Sequence, residues 1–153
     1  MAFTMDDTDR KILRALRKNG RMPLAELADI VGLSGTPCRR RLKSLEECGL
    51  ISDYSARIDR KVAGFGITVF ISVELEHQEG DQIAQFQNSV SEFDEIVTGN
   101  LMTGSQDFLL EVVVESLEEY ELFLQKKLLK VAGVRVVRSR FALRKFISRD
   151  RIP

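Results

Sequence analysis

Hydrophobic residues recur along this chain with two different periods, and the change between them divides it. In the first fifty residues the spacing is helical. Ile12, Leu13 and Leu16 form a stripe that begins after the acidic cap Asp6-Asp7-Thr8-Asp9 and ends at Asn19-Gly20. Leu24, Leu27, Ala28 and Val31 repeat the pattern after Pro23, and Gly32-Leu33 turns the chain. A third helix is predicted up to Gly49, with Ser34 or Thr36 placed to accept a bond from its first free amides and Pro37 suited to its first turn. At about 100° per residue, Cys38, Leu42, Leu45 and Gly49 share a narrow apolar face, whereas Thr36, Arg40, Lys43 and Glu47 lie opposite, flanked by Arg39 and Ser44. Helix, short helix, glycine-containing turn and basic helix match the helix-turn-helix plan, whose last helix enters a DNA major groove.

From Ile67 the period becomes two. Ile67, Val69, Ile71, Val73 and Leu75 alternate with Thr68, Phe70, Ser72 and Glu74, which predicts a strand. Ile83, Phe86 and Val90 then predict a one-sided helix over 81–91. Ile96 to Met102 and Asp107 to Val114 read as a hairpin around Thr103-Gly104-Ser105-Gln106. Ser116 caps a further helix with Leu117, Tyr120, Leu124 and Leu128 as its inward row, and Val134 to Leu143 is a fourth strand. The order βαββαβ is that of a ferredoxin-like domain, and the whole is an α+β chain. On the fourth strand Val136-Val137 breaks the alternation, leaving open which face Phe141 joins. Between the two regions, Ile51 to Ile58 has strand-like content, and Asp59-Arg60-Lys61 with Gly64 and Gly66 reads as a linker. The expected domains are therefore 1–50, a strand and linker over 51–66, and 67–153.

Charge sharpens this division. Net charge is zero, yet no Lys or Arg stands between Lys61 and Lys126, and carboxylates run from Glu74 to Glu121. That middle surface repels nucleic acid, so DNA binding belongs to the N-terminal third. A composition of 44% hydrophobic and 30% charged residues is that of a soluble globular protein, with no apolar run approaching a membrane span, and a cytoplasmic location is expected. Cys38 and Cys48, on one helix about 15 Å apart along its axis, are too distant for a disulfide, which needs less than about 7 Å. His77 stands alone, so neither a metal site nor a Cys/His or Ser/His pairing is implied, and no enzyme activity is expected.

Several motifs together resemble the Lrp/AsnC, or feast/famine, transcriptional regulators. They are Arg10-Lys11-Ile12-Leu13, Leu24-Ala25-Glu26-Leu27-Ala28, Val31-Gly32-Leu33-Ser34 with Thr36-Pro37-Cys38 and Arg41, and Leu45-Glu46-Glu47-Cys48-Gly49-Leu50-Ile51. The likeness continues through Gly104-x-x-Asp107-Phe108, Leu128 to Val134 and Phe141-Ala142-Leu143. It implies a winged-helix-like helix-turn-helix domain followed by an effector-sensing and dimerising domain. It further implies dimers formed through the sheets, tetramers or octamers built from them, and pairing of Ile51 to Ile58 with its copy in the partner.

The candidate DNA contacts are Ser34, Gly35, Thr36, Pro37, Arg39, Arg40, Lys43 and Ser44, on a roughly palindromic duplex. No cofactor is expected. The expected effector is an amino acid or related metabolite, bound at Thr103, Gly104, Ser105, Gln106, Asp107 and Phe108, with backbone amides taking its carboxylate and Asp107 its ammonium. Arg138 and Arg140 are further candidates for that carboxylate, and Gln106, where many family members carry an aromatic residue, makes the pocket more polar. Two alternatives stand beside this reading. Gly104 and Asp107 could merely shape a turn, and the chain could be a metabolite-binding assembly module without DNA binding.

Overall fold

The computed structural model describes residues 4–77 and 79–148; the remaining residues, among them 149–153 of the expected C-terminal domain, lie outside the description. The chain forms two compact units. One runs to Arg57 and includes Ile147 and Ser148, where the Arg57 guanidinium donates to the Ser148 carbonyl at 3.0 Å; the other is Ile58–Phe146.

The first unit is helical throughout its regular structure: α1 (Asp7–Lys18), α2 (Leu24–Val31) and α3 (Gly35–Glu47). Asp6 and Asp9 form a reciprocal capping box at the start of α1. Gly32 takes the left-handed conformation, φ 72°, that lets α2 end, and the Leu33 N–H returns to the Ala28 carbonyl at 2.9 Å. The core is Ile12, Ala15, Leu27, Ala28, Val31, Cys38 and Leu45. Gly49, expected on the buried face of α3, instead follows the helix in an exposed left-handed turn with φ 77°. Ser34 is the N-cap by backbone, but neither its side chain nor that of Thr36 caps the helix.

Ile51 to Ile58 forms no strand. A strand needs a neighbour for its backbone groups, and among the described residues of this unit every regular element is a helix. Tyr54 is held instead by its side chain, the phenol donating to Glu46 at 2.8 Å.

The second unit is β1 (Ile67–Leu75), α4 (Gly80–Ser91), β2 (Ile96–Leu101), β3 (Phe108–Val114), α5 (Leu117–Lys126), a 3₁₀ turn (Leu128–Lys130) and β4 (Val134–Phe141). The strands pair antiparallel in the order β2-β3-β1-β4. Val69, Ile71, Val73 and Leu75 of β1 and Phe108, Leu110, Val112 and Val114 of β3 face the helices, closing a core with Phe86, Val90, Tyr120, Phe123 and Leu128. The inward row of α5 therefore differs from expectation. Phe123 is buried, whereas Leu117, the first residue of the helix, is 58% exposed; Leu128 is buried from the 3₁₀ turn that follows and not from α5 itself.

The register of β4 resolves the broken alternation. Leu75 faces Val134 and Glu74 faces Val136, so Arg135 is an extra, bulged residue. Beyond the bulge Val137, Ser139 and Phe141 face the helices; the Phe141 ring meets Tyr120 edge-on, with centroids 5.2 Å apart.

The helix-free face mixes apolar and polar residues. Phe70, Leu109 and Val113 share it with Ser72, Glu74 and Glu111, all three buried. Arginines bury them. Arg135 (2.6 Å) and Arg138 both pair with Glu74, Arg140 donates to Ser72 at 3.1 Å, and Arg60 pairs with Glu111 at 2.7 Å.

Candidate functional site

Helix α3 turns two kinds of basic residue in two directions. Thr36, Arg39, Arg40 and Lys43 are exposed on its outer side, with Ser34 and Gly35 exposed at its start and Pro37 and Ser44 half-buried at the margins. Among the described residues Lys43 makes only a solvent-exposed pair with Glu47, one helical turn on, at 3.4 Å. Arg39 and Arg40 make no ion pair among the described residues. Because no side chain caps the helix, its first N–H groups, at exposed Gly35 and Thr36, stay open beside these cations, an arrangement that favours a phosphate. Cys38 and Leu45 hold the opposite side in the core.

Arg41 differs from its two neighbours. Its guanidinium donates to Asp6 at 2.6 Å and to Asp9 at 2.9 Å, joining α3 to the cap of α1. The sequence displays three arginines in a row; the long-range pairing that removes one of them from the outer surface is not visible in it. The tie made by Tyr54 is equally invisible there: burial and then the Glu46 carboxylate push its phenol up to about 12, so it stays a neutral donor that ties the chain after α3 back to the helix.

In the second unit, the loop expected to meet an effector separates into two parts. Thr103, Gly104 and Ser105 are exposed and Gln106 half-buried, whereas Asp107 and Phe108 are buried. Gly104 has φ 114°, and a Cβ there would meet nothing within 4 Å, so the glycine is required by backbone geometry and not by crowding. Asp107 Oδ2 accepts the Leu75 N–H at 2.7 Å; its own N–H donates to Val73 and its carbonyl accepts from Met102. The Phe108 ring lies 4.4 Å from that of Phe86 in the core. These two residues support the loop, and Thr103 to Gln106 form its accessible part. Arg138 is engaged by Glu74, whose carboxyl is held below the ordinary range chiefly by the Arg138 hydrogen bond, while Arg140 donates to the Ser72 hydroxyl and makes no ion pair among the described residues.

An open cavity of about 350 Å³ lies beside the edge strand β2, between Gln87, Val90 and Ser91 of α4 and the segment from Ile96 to Leu101. No group of three or more His, Cys, Asp or Glu side chains suited to a metal ion occurs among the described residues, and no helix among them is long and apolar enough to cross a membrane.

A tri-helical unit with an open basic helix, followed by a βαββαβ unit with a glycine-turned loop, defines a DNA-binding protein with an appended ligand domain. Residues 5–52 match the winged helix-turn-helix DNA-binding family and residues 68–152 the Lrp/AsnC ligand binding domain. The chain belongs to the Lrp/AsnC family of transcriptional regulators. It is 40% identical over 149 residues to the Bkd operon transcriptional regulator of Pseudomonas aeruginosa, covering 97% of both chains. It is 34% identical to the leucine-responsive regulatory protein of Rhizobium meliloti, over 92% of this chain and 90% of that one. Among solved structures, a Neisseria meningitidis transcriptional regulator in complex with L-Met superimposes with a TM-score of 0.92 at 33% identity, covering 98% of this chain and 97% of that one.

Proposed function

We propose that this regulator reads a roughly palindromic duplex as a dimer, with the outer face of α3 in the major groove of each half-site, and that an amino acid modulates it through the loop Thr103–Gln106. The observation that carries the DNA reading is the pair Arg39 and Arg40, without an ion-pair partner among the described residues, beside the uncapped start of α3. A bidentate arginine reads guanine, while lysines and helix-start amides hold phosphates. One three-helix unit offers few contacts, so two copies on half-sites about 34–36 Å apart, or multiples of that, supply the rest.

The amino-acid effector is supported by the match to the ligand binding domain and by the L-Met complex of the Neisseria regulator. Exposed backbone at Gly104 and Ser105 offers N–H groups to a carboxylate, and Arg140 is the less engaged of the two arginines considered for it. Self-association to tetramers or octamers on top of the dimer fits a family that senses ligands. Enrichment of duplexes from a random library by the full-length protein tests the DNA reading, since failure to enrich any duplex would refute it. A thermal-shift screen with the standard amino acids tests the effector, because a ligand that prefers the native state raises the melting temperature.

A further inference from the structure

The three consecutive arginines of α3 point in directions about 100° apart, so when Arg40 faces outward Arg41 turns toward α1. There it meets two carboxylates whose oxygens are divided evenly. Asp6 Oδ1 accepts the Asp9 N–H at 2.9 Å and Asp9 Oδ2 accepts the Asp6 N–H at 3.1 Å, which closes the capping box. The other oxygen of each, Asp6 Oδ2 and Asp9 Oδ1, accepts from Arg41. All four oxygens are thereby used, and the box that starts α1 is also the socket that holds α3. The Asp9 side chain is only 6% exposed, so losing Arg41 leaves a buried carboxylate short of a partner. The three groups together carry net negative charge, which gives them no attraction for DNA.

We infer that Arg41 is a positioning residue for DNA reading, one that sets the angle of α3 through the Asp6–Asp9 capping box and does not itself touch the duplex. This rests on the reading that α3 enters the groove.

The test uses the full-length protein and a duplex it has enriched from a random library, with a scrambled duplex as control, over a salt series. Arg41→Gln and Asp6→Asn should each weaken the enriched duplex roughly tenfold with binding to the scrambled duplex and the slope of log K against log salt unchanged. Lys43→Gln should instead weaken both duplexes and reduce the slope by about one. The Asp6→Asn result is the decisive one. It removes a negative charge near the DNA, so if Asp6 acted only through the field, binding would tighten; binding at or above wild type overturns the inference. So does a slope reduced by about one in Arg41→Gln, which would make Arg41 a phosphate contact, or an equal loss on both duplexes, which would mean simple destabilisation. Should Arg41→Gln lack the wild-type far-UV spectrum, Arg41→Lys takes its place with the same expectations. Arg40→Ala separates the two levels: wild-type affinity there removes α3 from the interface, whereas a weakened Arg40→Ala with an unaffected Asp6→Asn defeats only the role given to Arg41.

Discussion

Asp107 holds the end of β1 through Leu75: its carboxylate accepts the Leu75 N–H at 2.7 Å from the far side of the hairpin loop, thirty-two positions along the chain. Both residues are buried, so Asp107→Ala would strand a backbone donor away from water, and a bond to a charged acceptor is at the strong end of its kind. We predict a loss of about 1–3 kcal/mol from the sheet unit, measured by urea unfolding, with Asp107→Asn milder because its amide oxygen can still accept. Any loss of effector binding in Asp107→Ala should then follow the loss of loop shape. Full stability in Asp107→Ala would contradict this.

Gly104 offers a cleaner probe of the same loop. With φ at 114° and open space where an added methyl group would sit, Gly104→Ala costs only the strain of the backbone conformation, about 1 kcal/mol or somewhat more. The urea midpoint should fall with the slope unchanged, and affinity for any amino acid found by thermal shift should fall further than stability does. Unchanged affinity in a folded Gly104→Ala would move the effector site off this loop.

These two residues also show what the sequence could and could not disclose. Gly104 and Asp107 stand out as turn chemistry, but whether Asp107 faces a ligand or a backbone amide depends on β1, which pairs with β3 from far away in the chain. The helix-turn-helix is legible because its helices carry their own stripes and stops. The strands of the second unit are legible by alternation until a bulge intervenes: at Arg135 one extra residue reverses every later side chain, and only the pairing of β4 with β1 reveals it. In α5, periodicity puts Leu117 in the inward row and leaves Phe123 out, whereas the packed helix buries Phe123 and exposes Leu117. Ile51 to Ile58 is no strand within the single chain, since strand-like composition does not supply a strand to pair with, and the pairing that the resemblance implies is with a second copy.

The capping box gives the N-terminal unit an acid limit. The Asp9 N–H, and with it the Arg41 guanidinium, holds the Asp6 carboxyl below its ordinary value near 3.8. A depressed carboxylate contributes stability that is present above the unfolded value and is lost as pH falls through the folded one. Wild-type stability should therefore decline below about pH 4, and Asp6→Asn should be less stable at neutral pH yet lose less on acidification. Urea unfolding of both proteins at neutral and acid pH checks this; parallel declines would remove Asp6 from the cause.

The last expectation separates two neighbours on the outer face of α3. Arg40 lies opposite the buried Cys38 and Leu45, in the early turns that a recognition helix brings nearest to base edges, and it has no partner to give up among the described residues. Lys43, one turn later, already shares its charge with Glu47. An arginine that pairs with a guanine in bidentate fashion contributes about 1–3 kcal/mol of discrimination, so Arg40→Ala should weaken the enriched duplex by that amount while barely affecting a scrambled one. Lys43→Ala should weaken both alike, as loss of a phosphate contact does. Titration of each variant against the two duplexes at fixed salt distinguishes them. Equal effects of Arg40→Ala on both duplexes would make Arg40 another backbone contact, and base reading would then pass to Arg39 and the residues at the start of the helix.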